Sequence, residues 1–104
     1  MNIQITSRKF KAKDSLKDFI TQEVNSLTKF SDEIIDATVT LSYLHNQNSI
    51  KTAEILLNIP GNNLVVSEST EEFEKSVTQA VEKLERQLKT LKSKKLAKVH
   101  DKNQ

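Results

Sequence analysis

Six cations crowd residues 83–95, Lys83, Arg86, Lys89, Lys92, Lys94 and Lys95, with little acid among them. A second basic run, Arg8, Lys9, Lys11 and Lys13, lies in the first 13 residues, which hold no acid at all. Residues 53–82 between these runs carry one base and six acids. Such clusters suit phosphate groups, because Arg offers a bidentate fork and Lys a mobile point charge. Net charge is only +2, so local potential rather than overall charge would draw a polyanion.

Other chemistry fails on residue supply. A glycine-rich phosphate cradle needs backbone amides brought close by several glycines, and the chain has one, Gly61. Nucleophilic catalysis needs a hydroxyl beside an oriented base, but His45 falls in an expected loop and His100 near the C-terminus, both without an orienting partner. The same two histidines cannot assemble a metal site with scattered carboxylates, and the absence of Cys removes disulfides and cysteine-ligated zinc. Asp32, Glu33 and Asp36 read as a solvated helix end rather than an acid/base pair. A non-enzymatic binding protein is expected, with no cofactor, no metal and no small-molecule substrate. Neither a signal-peptide core nor a run of about 18 apolar residues occurs, so a cytoplasmic protein without membrane contact is expected.

Positioning these cations falls to a long amphipathic helix. Phe73, Val77, Ala80, Val81, Leu84, Leu88 and Leu91 recur at spacings of three and four, which puts all seven on one buried face. The reading places this helix over 69–95, with Ser69 and Glu72 as a capping box and Glu68, Glu71, Glu72 and Glu74 around its positive end. From 70 to 91 it would span about 33 Å, the length of a ten-residue strand. The basic run therefore should overhang the sheet. Lys83 and Arg86 lie off the apolar stripe, so their replacement by alanine is expected to spare stability.

Upstream, Ile3 and Ile5 alternate with polar residues in a first strand, and Asp14 or Ser15 caps a helix carrying Leu16, Phe19, Ile20, Val24 and Leu27. From Ile34 the period becomes two. Ala37, Val39, Leu41 and Tyr43 mark a second strand, residues 45–49 a hairpin loop, Ala53, Ile55, Leu57 and Ile59 a third strand, and Leu64 and Val66 a short fourth. Pro60-Gly61 fits a type II turn. At 36% hydrophobic and 29% charged residues with no linker, the chain reads as one domain over 1–95, followed by a flexible basic tail at 96–104.

The expected fold class is α+β, in the order β-α-β-β-β-α: a four-stranded mixed sheet with two parallel helices on one face. Strand one reaches strand two through a helix, which requires a parallel, right-handed crossover, while short turns make the remaining pairs antiparallel. The loop at 8–13 and the basic helix end then lie at opposite ends of the sheet, so an anion touching both must extend on the order of 30 Å. Because Phe10, Phe19, Phe30, Tyr43 and Phe73 fall mostly at core positions, structured RNA read by shape and backbone fits better than stacked bases.

The segment VEKLERQLKTLKSK at 81–94 closely resembles the second helix of the ribosome hibernation promoting factor family, also called ribosome-associated inhibitors. SLKDFITQEVNSLTKF falls where that family has its first helix, and the element order is similar to the family's double-stranded-RNA-binding-like domain over 1–95. The family's usual Asp-Met-Tyr is here Glu72-Phe73-Glu74. The resemblance implies a short-form factor, monomeric when free. It implies binding to the small ribosomal subunit in the channel for messenger and transfer RNA, with contacts to ribosomal RNA and neighbouring ribosomal proteins. Translation by idle ribosomes would be inhibited in stationary phase or stress, with or without ribosome dimerisation. Lys83, Arg86, Lys89, Lys92 and Lys94 match the family's basic positions; Lys95, Arg8 and Lys9 complete the expected RNA-contacting set. The alternatives are a generic double-stranded-RNA module and a protein–protein adaptor using the open sheet face of Thr38, Thr40, Thr52, Glu54 and Leu56.

Overall fold

The structure is a computed structural model that describes residues 1–44 and 50–102, with side chains described as far as Lys92. Its elements follow the expected order. They are β1 (Asn2–Ser7), α1 (Asp14–Asn25), a 3-10 turn at Ser26–Lys29, β2 (Asp36–Tyr43), β3 (Lys51–Ile59), β4 (Asn62–Thr70) and α2 (Phe73–Lys102). The four strands form one sheet in sequence order. β1 runs parallel to β2, with Ile3 opposite Ala37 and Ile5 opposite Val39. The other neighbours are antiparallel.

Alternation sends one set of side chains under the helices. Ala37, Val39 and Leu41 of β2 and Ala53, Ile55 and Leu57 of β3 are all buried. Their register pairs Ala37 with Leu57, Val39 with Ile55 and Leu41 with Ala53, so each row sets a small residue against a large one, or two of middle size. Ile20, Val24 and Leu27 from α1 and the following turn, with Phe73, Val77, Ala80, Val81, Leu84 and Leu88 from α2, close this core from above. At roughly 25 cal/mol per Å2 of apolar surface removed from water, each fully buried Leu or Ile contributes about 2 kcal/mol. Cover is thinner at the margin, where Ile3 and Ile5 of β1 are only partly buried.

Three local expectations are corrected. β4 is nine residues long and continues through Thr70, so Ser69 belongs to a strand and its hydroxyl meets that of Thr52 at 2.8 Å. The capping box with Glu72 does not form. Thr70 takes that part, accepting the Glu72 N–H at 3.2 Å and lying 2.8 Å from the Ser76 hydroxyl. Ser76 is fully buried and also reaches the carbonyls of Lys51 at 2.7 Å and Glu72 at 3.1 Å, joining β3, β4 and α2. Second, neither Asp14 nor Ser15 caps α1: the N-cap is Lys13, which makes no side-chain capping bond, and Asp14 is already in the first turn. Third, helical backbone does not stop at residue 95 but continues to Lys102.

Gly61 has φ +75°, the conformation expected of the Pro60-Gly61 turn. The hairpin loop expected at 45–49, with His45, lies outside the described residues.

Candidate nucleic-acid interface

The two basic regions sit at opposite ends of the sheet. α2 begins beside the end of β1 and runs the other way, so its C-terminal half leaves the sheet at the far end. Thirty helical residues span about 45 Å, against about 30 Å for a nine-residue strand. The molecule is correspondingly elongated, 55 × 23 × 19 Å. Leu88 is the last buried residue described on α2; Leu91 is half-buried and Lys92 exposed.

Residues three apart on a helix step back by about 60° around its axis. Lys83, Arg86, Lys89 and Lys92 therefore do not share one stripe; they wind across the solvent side, from the β4 flank to the α1 flank. Lys83 leans onto β4 and pairs with Glu68 at 2.5 Å. Lys89, on the other flank, pairs with Glu85 one turn back at 3.2 Å and lies 5.1 Å from the centre of the Phe30 ring. Two of the expected contact residues thus already hold intramolecular partners. Arg86 and Lys92 are exposed and make no ion pair among the described residues. Lys94 and Lys95 stand on helical backbone, and their side chains lie outside the described residues, as does that of His100.

These pairs have separate physical origins. Glu68 faces the helix side of edge strand β4, and its side chain is 17% exposed against 52% for Lys83. The lysine is the partner that keeps this carboxylate satisfied. Lys89 and Glu85 form an ordinary exposed pair at i, i+4, worth only a few tenths of a kcal/mol (about 0.3–0.5) and readily exchanged for a phosphate. The β4 contact of Lys83 was not legible in the sequence, because helix spacing shows what lies on α2 and not which strand lies beside it.

At the other end, the Arg8 N–H donates to the Leu41 carbonyl at 2.9 Å, extending the β1–β2 ladder by one bond. Arg8 and Lys9 are both exposed, and Lys9 takes a positive φ of 64°, uncommon for a residue with a side chain. Phe10 then turns inward against Phe73 and Tyr43, at ring-centre distances of 5.1 and 5.2 Å. Sequence reasoning assigned these rings to the core without seeing that they tie the basic loop to the start of α2. Lys51 joins the same corner, donating to the Glu71 carbonyl at 3.1 Å with its Nζ 5.8 Å from the Tyr43 ring centre.

Of the rival surfaces, the open sheet face holds Thr38 opposite Leu56 and Thr40 opposite Glu54. No group of three or more His, Cys, Asp or Glu able to hold a metal occurs among the described residues. No described helix is long and apolar enough to cross a membrane.

Comparison with known proteins gives four findings. The family model described as Sigma 54 modulation protein / S30EA ribosomal protein matches residues 3–96. The chain is 26% identical over 92 residues to the ribosome hibernation promotion factor of Deinococcus radiodurans, covering 86% of this chain and 48% of that relative. It thus spans about half the length of that curated protein. Among solved structures it is similar to the N-terminal domain of Protein Y from Thermus thermophilus, at a TM-score of 0.77 and 27% identity over 88% of this chain and 99% of that one. A ribosomal subunit interface protein from Coxiella burnetii shares the fold at a TM-score of 0.81 and 20% identity, over 89% of this chain and 99% of the other.

Proposed function

Because the chain belongs to the Sigma 54 modulation protein / S30EA ribosomal protein family, we propose that it is a ribosome hibernation factor acting by occlusion on the small ribosomal subunit. A folded wedge lies in the channel for messenger and transfer RNA, held by charge-assisted bonds to ribosomal RNA phosphates, and blocks translation by idle ribosomes. The likeness to the ribosome hibernation promotion factor of D. radiodurans supports the ribosomal assignment. The observation that carries the mode of binding is the basic run of α2, on which Arg86, beside the core-packed Leu88, and Lys92, where the helix leaves the sheet, stand exposed without a partner among the described residues.

Roles divide along the helix. Arg86 and Lys92 are free to meet phosphates directly; Lys89 can trade Glu85 for a phosphate at little cost. Lys83 serves Glu68 first and contributes to the field around the helix rather than to a direct contact. Lys94 and Lys95 extend the basic run along the overhang, and residues 96–104 add a further basic tail to the 1–95 domain. Binding is the whole activity, with no cofactor and no chemical step.

Co-sedimentation with purified small subunits across a salt series tests this. Each phosphate contact contributes about 0.7–0.9 to the slope of log affinity against log salt. The Arg86→Ala/Lys92→Ala variant should therefore bind more weakly, with a slope shallower by about 1.4–1.8. Sedimentation and slope equal to those of the unmodified chain would remove the basic run of α2 from the mechanism.

A further inference from the structure

The two edges of the sheet are not equivalent. β1 is six residues long and turns Asn2, Gln4 and Thr6 to the open face. β4 is nine residues long, pairs one-to-one with β3 from Asn62 to Thr70 without a bulge, and contains neither Pro nor Lys. Those are the devices that ordinarily keep an edge from taking up a further strand. Val65, 56% exposed, is the one large hydrophobic on the described strands that stands in solvent.

Backbone groups along β4 alternate in direction. The two-residue turn Pro60-Gly61 makes Ile59 and Asn62 a hydrogen-bonded pair, so Asn62, Leu64 and Val66 direct their N–H and C=O groups to β3. Asn63, Val65 and Ser67 therefore direct theirs outward. Two bonds agree with this order: the Ile35 N–H donates to the Asn58 carbonyl at 2.8 Å, so Asn58 faces β2, and the outward Asn63 N–H donates to the Asn62 side chain at 2.8 Å. The Val65 and Ser67 amides have no partner among the described residues. Side chains repeat the asymmetry, because one row across the open face runs Gln4, Thr38, Leu56, Val65 and ends apolar at the β4 edge. On the helix side of the same edge, Leu64 is only partly buried.

We propose that β4 pairs antiparallel with β4 of a second copy of this chain, about a two-fold axis through Val65, to form one continuous sheet. Val65 then lies opposite Val65 of the second copy in a hydrogen-bonded pair, with Asn63 opposite Ser67 on each side of it. Every outward backbone group from 63 to 67 gains a partner. Leu56 and Val65 of both copies join in a single apolar row, and Leu64 is covered by Val66 of the second copy. Glu68 selects this register. An axis through Val66, Ser67 or Glu68 would set that carboxylate against Leu64, Val66 or its own counterpart, whereas an axis through Val65 sets it opposite the exposed Asn62. A second copy suits the edge better than a charged strand or a nucleic acid, because residues 62–67 carry no charge and are their own complement. The pair replaces the free monomer that the resemblance implies, and it stands apart from the ribosomal reading. A strip this short falls well below the roughly 20–30 residues a side of a standard interface, so pairing depends on concentration.

Sedimentation velocity of the full chain over a concentration series tests the pair, with amide exchange read residue by residue. The mass should climb from that of one chain towards that of two, and the Val65 and Ser67 amides should slow their exchange over the same range. Leu64 and Val66, already bonded to β3, should change far less. Val65→Lys sets two like charges against each other and should abolish association with its urea midpoint unmoved, since the side chain is exposed. Val65→Thr keeps the β-branch and should still associate. The mass of one copy at every concentration overturns the pair, as does a Val65→Lys variant that associates like the unmodified chain. So does association that slows exchange along Asn2–Ser7 in place of Val65 and Ser67. Slowing of those two amides only when small subunits are added would give the edge to a ribosomal strand and overturn the pair as well.

Discussion

Glu68 is the residue that most changes how the basic helix is understood. An acid pointing under the helices from an edge strand is costly to desolvate and also discourages another strand from pairing there. Lys83 resolves the first problem and keeps half its surface in water. Lys83→Ala should therefore lower stability by about 1 kcal/mol, discounted for solvent screening, whereas Arg86→Ala should change it by less than about 0.5 kcal/mol. Urea denaturation of the two single variants distinguishes them. The sequence placed both residues off the apolar stripe, which is correct for each, yet treated them as equivalent. The difference lies in β4, whose neighbourhood no one-dimensional pattern reveals.

At the level of elements, periodicity was a sound guide wherever one face is buried. It located every strand and both helices, because Ala37, Val39 and Leu41 on one side and Phe73, Val77 and Leu84 on the other must be covered. It failed at the junctions. Ser69 and Glu72 have the spacing of a capping box, but the ladder between β3 and β4 extends to Thr70 opposite Lys51 and claims Ser69 before the helix begins. Asp14 and Ser15 look like caps, yet Ala12 is buried and α1 starts directly after Lys13. This displacement makes a prediction. Lys13→Asp supplies the missing capping oxygen and reverses the clash with the dipole, so it should stabilise the chain by about 1 kcal/mol in thermal or urea unfolding.

Across the whole molecule, both helices run in the same direction over one face, so each end of the sheet has its own electrostatic character. The basic loop at residues 8–13 lies at the end where both helices begin, and the overhang where α2 departs. That opposition was legible from connectivity alone, since one parallel crossover followed by two hairpins allows no other arrangement. Which cations remain available was not, because availability depends on Glu68, Glu85 and Phe30 across space. The uneven cover of the sheet has a further effect. β2 and β3 are the inner strands, and Ala37, Val39, Leu41, Ala53, Ile55 and Leu57 on them are fully sequestered, whereas Ile3 and Ile5 of edge strand β1 remain partly wet. Local opening therefore begins at β1. Amide hydrogen exchange should release the protons of Asn2–Ser7 well before those of Ala37–Leu41 or Ala53–Leu57, and equal protection would contradict this order. A rim that loosens first, joined directly to the basic loop at residues 8–13, gives the first residues of the chain a freedom that the centre never shares.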